Sequence, residues 1–288
     1  MTSAPGPSVG RRKLRSAIRR AREAAGFTQE QVAVAMDWSL SKLIRIEAGY
    51  VAISTNDVKA LLDHYRVRDP EQVAQLVQLA RVSRQRTWWS PYRDAVPPAY
   101  YSYIGLEAES SELYFYQSVG MPGLLQTEAY AQAVLRAAIP HLDDSAEAQT
   151  SMALRLRRQR EILDRPDPPD IFVVLDEATL HRQTGGAEVI REQLLHLVDL
   201  GGSGRITIQV LPFTSTVYTP LGQFIVVRNA SGADADVVYL ESTGLEDVLD
   251  HPEAVAGHLR TFAGLREAAL TPADSLRRIS EIAADLAR

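Results

Sequence analysis

Along the first third of the chain, apolar residues recur at spacings of three and four, with polar residues between them. Leu14, Ile18, Ala21 and Ala25 make one stripe, which predicts a helix that Gly26 ends as a left-handed cap. Thr28, with Gln31 three residues on, has the form of a capping box and opens a second helix. A tight turn at Asp37 follows, and Ser39 is placed to cap a third helix that stops at Gly49. Ser54 with Asp57 repeats the cap signal before Val58, Leu61, Leu62 and Tyr65. Asp69-Pro70 then starts a fifth helix with Val73, Leu76, Val77 and Ala80 inward. Five short helices over residues 11–86 predict a small all-α domain, preceded by a flexible tail at 1–10.

Residues 87–99, with Pro91, Pro97 and Pro98, read as an extended linker. Trp88, Trp89 and Tyr92, followed by Tyr100, Tyr101 and Tyr103, make it aromatic for a solvated spacer. The expectation is that this strip packs on one of the domains it joins; a DNA-stacking or partner surface is the alternative. Beyond Tyr100 the pattern changes. Helical segments are expected over 104–117, 127–139 and 145–164, then a buried strand at Ile171–Leu175. A helix over 187–200 and the Gly201-Gly202-Ser203-Gly204 turn precede three strands, Ile206–Leu211, Gln223–Arg228 and Val237–Glu241. Helices over about 245–268 and 272–287 close the chain. Helices around such strands imply a mixed sheet in an α/β or α+β domain at 100–288.

At 288 residues the chain has room for two domains. Its 45% hydrophobic and 23% charged content fits a folded domain and excludes a disordered tail or fibre. The absence of cysteine excludes disulfides, thiolate chemistry, iron–sulfur clusters and Cys-based zinc sites. No window reaches the roughly 18 apolar residues of a membrane helix, and the N-terminus lacks a secretory apolar run, so a cytoplasmic protein is expected. The net charge of −5 argues against nucleic acid until it is divided. Residues 1–93 hold 16 Lys and Arg against 8 Asp and Glu, net +8; residues 94–288 hold 15 against 28, net −13. Such asymmetry suggests a nucleic-acid-facing part joined to a part with another task.

Residues 29–47 carry the candidate chemistry. Two helices joined by a three- or four-residue turn must cross closely, and the small Ala33 sits where they cross. Asp37 tolerates the positive φ that the turn needs, less readily than glycine. Leu43 and Ile46 are the apolar pair that anchors the second helix. This frees the face with Leu40, Ser41, Lys42, Ile44 and Arg45 for a DNA major groove. Arg45 suits guanine O6/N7, Ser41 several base edges and Leu40 a thymine methyl. Ser39, Lys42 and Gln29 lie where phosphate contacts are expected, Gln29 at the positive end of its helix. Arg11, Arg12, Lys13 and Arg15 read as a basic arm adding salt-sensitive affinity. The apolar stretch Tyr50-Val51-Ala52-Ile53 is expected to serve core packing or dimer contact. Because one such module buries little DNA surface, a homodimer on an inverted repeat is the default.

The segment resembles the lambda-repressor-like, xenobiotic-response-element class of helix-turn-helix regulators through Thr28-Gln29-Glu30, Trp38-Ser39 and Lys42 to Gly49. Leu40 stands where that class carries proline, which points to an altered base preference. Over almost the whole chain the sequence is similar to a narrower group, the actinobacterial antitoxin-like (WhiJ-like) regulators. The matching stretches are Trp38-Ser39-x-Ser41-Lys42, Pro122-Gly123-Leu124-Leu125-Gln126-Thr127-Glu128-x-Tyr130-Ala131, Arg158-Gln159-Arg160-x-Ile162-Leu163 and Ile206-x-Ile208-Gln209-Val210-Leu211-Pro212-Phe213. The resemblance implies a helix-turn-helix domain joined to a large C-terminal domain of poorly known function. It also implies a developmental or antibiotic-production regulator encoded beside a small partner protein.

Catalytic chemistry is not expected. His64, His141, His181, His196, His251 and His258 are scattered, and the last pair lies seven apart, where helical metal sites use three or four. Asp176 and Glu177 at a strand end, near His181, read as caps or a solvated turn rather than an acid/base group. Neither Gly185-Gly186 nor the 201–204 turn has the order and lysine of a phosphate loop, and no nucleophile elbow occurs. No cofactor is expected. The second domain reads as a regulatory and oligomerisation module, or as a small-molecule receptor. Met121 to Leu125 is expected to pack internally, with a partner surface or the lip of an effector pocket as alternatives.

Overall fold

The computed structural model describes residues 5–49, 51–138, 145–217, 219–230, 232, 236–242 and 245–287; Tyr50, Ile139 and His141 lie outside them. The chain divides into two compact units, one up to Ser90 and one from Pro91.

The first unit contains α1 (Pro7–Ala24), α2 (Gln29–Ala35), α3 (Leu40–Glu47), α4 (Thr55–His64) and α5 (Pro70–Val82). Its helix ends follow local cap chemistry. Thr28 and Gln31 form the reciprocal box, and Ser39, Ser54 and Asp69 each accept a backbone N–H of their helix's first turn. Gly26 holds φ at 76° after α1. Leu14, Ile18, Val32, Leu43, Ile46, Val58 and Leu61 share one core. The tail expected at 1–10 is helical from Pro7 onward. Pro7 starts α1 with its φ already set, Val9 is buried, and Gly10 lies against Val82 of α5. Ile53 is buried and Val51 packs on the core. Of the aromatic strip, Trp89 is buried and stands edge-on to Trp88.

The second unit opens with α6 (Pro98–Glu107), whose first turn falls inside the expected linker. It continues through β1 (Glu112–Gln117), α7 (Glu128–Ala138), α8 (Ala146–Leu163), β2 (Asp170–Asp176), the short α9 (Glu177–His181) and α10 (Ala187–Gly202). Then come β3 (Ile206–Leu211), β4 (Phe224–Arg228), β5 (Val237–Ser242), β6 (Leu245–Leu249), α11 (Pro252–Ala268) and α12 (Pro272–Asp285). The strands form one mixed sheet, ordered β3-β2-β1-β4-β5-β6. Pairing is parallel from β1 through β2 to β3 and antiparallel from β1 through β4 and β5 to β6.

Two expectations fail here. Residues 112–117, read as the end of a helix, form the strand that joins the parallel and antiparallel halves. Being central, β1 is buried on both faces and does not alternate cleanly, so its Leu113 and Tyr116 imitate a helical spacing. Residues 245–249, read as the start of a long helix, form the edge strand; Pro252 at the first helical position starts α11 instead. Alternation along the sheet sends Tyr116, Val174, Phe224, Val226 and Val238 toward Val255, Phe262 and Leu265 of α11. The opposite face carries Phe115, Val173, Ile225 and Tyr239, which stand side by side in register.

Candidate nucleic-acid interface

The α2–α3 pair is built by short-range constraints. Asp37 adopts φ 54° in the turn, and the Trp38 N–H donates to the Ala33 carbonyl at 2.8 Å, so chain and helix meet where only a small side chain fits. Ala33, Leu43 and Ile46 are buried. The opposite side of α3 is open. Ser39, Leu40, Ser41, Ile44 and Arg45 are exposed and Lys42 is half-buried. Leu40 with Ile44, and Ser41 with Arg45, stand four apart and so share one face. The Lys42 ammonium lies 3.8 Å above the Trp38 ring and 4.0 Å from Asp57 Oδ2, which holds it beside the start of α3. The Arg45 guanidinium makes no ion pair or side-chain hydrogen bond among the described residues.

The other cations singled out in the sequence behave differently. Arg11, Arg12, Lys13 and Arg15 are part of α1, not an arm ahead of it. Arg12 is buried, Arg11 Nη2 donates to the Ser83 carbonyl at 3.0 Å, and Arg15 Nη1 donates to the Ala48 carbonyl at 2.7 Å. Ser83 and Ala48 follow α5 and α3, so Arg11 and Arg15 satisfy the carbonyl ends of helices and oppose their negative dipole ends. Gln29 is also engaged: its amide donates to Glu47 Oε2 at 2.8 Å.

That contact belongs to a cluster which sequence reasoning missed. Glu47, at the end of α3, receives Arg22 Nε at 2.7 Å and Nη2 at 3.0 Å, while Arg22 Nη1 donates to the Phe27 carbonyl. Both side chains are nearly enclosed. Hydrogen bonding to Glu47 outweighs burial and raises the Arg22 pKa further. The pair ties α1, the α1–α2 turn and α2 to the far end of α3 and so sets the angle of its exposed face. An arginine on the core side of α1 and a glutamate closing α3 were the available signals, but only their meeting gives them meaning.

The second unit places the remaining candidates in structural roles. Asp176 caps α9 by accepting the Ala178 N–H at 2.9 Å. Glu177 is buried, paired with Arg278 at 2.7 Å and bonded to the Phe213 N–H, with His181 at 3.7 Å. His258 is buried and faces the Ala254 carbonyl; His251 precedes α11. Among the described residues, no group of three or more His, Asp or Glu gathers to hold a metal, and no helix is long and apolar enough to cross a membrane. Met121, Leu124 and Leu125 are buried. Gln193 secures their turn by donating to the Leu125 carbonyl and accepting the Thr127 N–H.

Residues 13–76 match the family described as a helix-turn-helix domain, and residues 100–281 match the domain of unknown function DUF5753. No curated protein and no solved structure matches the chain. The first match supports DNA binding by the head.

Proposed function

We propose, for a chain that belongs to the DUF5753 family and carries a helix-turn-helix head, a transcription regulator that reads an operator through α3. The observation that carries this is the contrast among its cations. Arg11, Arg15 and Arg22 are held by contacts within the head, whereas Arg45 stands exposed beside Ser41, without an ion-pair partner among the described residues, on the one α3 face the core does not use. Arg45 and Ser41 face the bases, and Ser39 and Lys42 hold the backbone. A second copy of the chain supplies the other half-site, so two α3 helices enter successive major grooves about 34–36 Å apart. The family resemblance to WhiJ-like regulators and the −13 body support a small protein partner that acts through the second unit and a cytoplasmic, nucleoid-bound location. Stoichiometric co-purification of a small protein from the native host tests that partner.

The site is tested by selecting operators from random duplex DNA with the full chain. Arg45→Ala should weaken binding to the selected site by about 1–3 kcal/mol and relax one base position in each half-site; Lys42→Ala should weaken all sequences alike. Unchanged binding in both variants would reject α3 as the reader.

A further inference from the structure

A cavity of about 470 Å³ lies in the second unit, between the sheet face bearing Ile225 and Tyr239 and the helices α6, α7 and α8. Its size falls within the usual range for small-molecule sites, and at about 30 Å³ per water it would hold roughly 15 waters, or a ligand of about 10–15 heavy atoms. Met121, Leu135, Leu154 and Ile225 give it an apolar body, and Gln117, Gln126 and Ser151 add neutral polar groups. Two arginines one helical turn apart on α8, Arg155 and Arg158, face into it and differ in one respect.

Arg158 is neutralised. Glu107 receives its Nε at 2.5 Å and its Nη2 at 2.6 Å, and the Tyr100 and Tyr103 hydroxyls lie 3.0 Å from the same guanidinium. Arg155 has no carboxylate within ion-pair reach among the described residues. Its protein partner is the side-chain oxygen of Gln126. Gln126 is itself fixed, donating to the Met121 carbonyl at 2.8 Å and accepting Gln159 on its own carbonyl at 2.8 Å. Gly123 leaves the space these cations need, for a Cβ there would stand 3.0 Å from Arg158 Nη1 and 3.7 Å from Arg155 Nη1. Burial pulls the Arg155 pKa below its ordinary value, the mark of a cation short of counter-charge. Glu241, exposed, completes the lining and disfavours a second negative charge on any occupant.

From this geometry we infer that the cavity binds a small organic monoanion, a carboxylate whose two oxygens meet the open edge of the Arg155 guanidinium and whose apolar body lies along Met121, Leu135, Leu154 and Ile225. Planar two-point pairing is what a guanidinium does best with a carboxylate, and it supplies the counter-charge that the half-buried Arg155 does not find among the described residues. The ligand's role as effector rests on the regulator proposed above; its binding does not, and is measured without DNA.

The full chain is titrated calorimetrically, and its melting followed, with 4-phenylbutyrate, 4-phenylbutanamide and 4-phenylbutylamine, which share one apolar body and differ in charge. The acid should bind and raise the melting temperature, with the amide and amine at least about tenfold weaker. Arg155→Gln should lose at least about tenfold for the acid alone, and Leu135→Trp, which fills the cavity, should abolish binding while retaining a cooperative melt. Equal binding of acid and amide, wild-type affinity in Arg155→Gln, or no binding of the acid at about 10 mM overturns the assignment. If Arg155→Gln does not fold, Leu135→Trp and the charge series decide. Operator binding without ligand should survive Arg155→Gln, so a failed DNA site and a failed ligand site give different results.

Discussion

At the scale of single residues, the pair to change first is Arg22–Glu47, because it joins the core of the head to the orientation of α3. Glu47→Gln leaves the Arg22 guanidinium enclosed without its charge partner, and removing one member of a buried pair costs about 3 kcal/mol. Urea unfolding should therefore show a loss of that size, together with weaker operator binding although no DNA-facing side chain has changed. Glu177 provides a pH test. Burial alone would raise its pKa, but the Phe213 N–H and the Arg278 guanidinium outweigh burial and leave it lowered. A folded value below the unfolded one of about 4.3 means that the stability is present above that pH and withdrawn as pH falls through the folded value. Glu177→Gln should be less stable than wild type at pH 7, and the gap between their urea midpoints should narrow below about pH 4. A constant gap would contradict the ion pair.

At the scale of elements, order within the sheet determines where the second unit is strongest. β1 and β2 are paired on both sides and buried, whereas β6, among the described residues, stands at the sheet's edge beside β5 and includes Glu246 and Asp247. Hydrogen exchange should be slowest at Leu113–Tyr116 and Ile171–Leu175 and fastest in 245–249. The same contrast explains what was legible. The helices of the head and β2 to β5 were readable because caps and β-branched runs are local. β1 was not, since a strand buried on both faces loses its alternation and Leu113, Tyr114, Phe115 and Tyr116 fit either period. For α11 the true start was written in Pro252, and only the apolar spacing of Leu245 and Val248 pointed elsewhere.

At the scale of the whole molecule, opposite charges on the two parts make bulk acidity a poor guide to what the chain binds. DNA affinity rests on a few phosphate contacts in each head, and with Arg12 buried and Arg11 and Arg15 held at the ends of α5 and α3, the salt dependence should be shallower than a free basic arm would give. A plot of log affinity against log salt should fall by about 0.9 per phosphate neutralised, and Lys42→Ala should reduce that slope by about 1 per bound head. A slope unchanged by the substitution would remove Lys42 from the backbone contacts.

The sequence by itself determined the helix-turn-helix, its caps, its apolar anchors and its open face, since each depends on residues within a few positions of one another. It also determined that the acidic part carries a mixed sheet. Only the tertiary structure decided what the arginines do. Arg12 is buried, Arg11 and Arg15 close helix ends, Arg22 holds Glu47, Arg158 meets Glu107 and Arg155 is left facing a cavity. The physical reason is range: a cap is satisfied by its own next turn, whereas a charge takes its role from partners tens of residues away, which only the folded chain brings within reach.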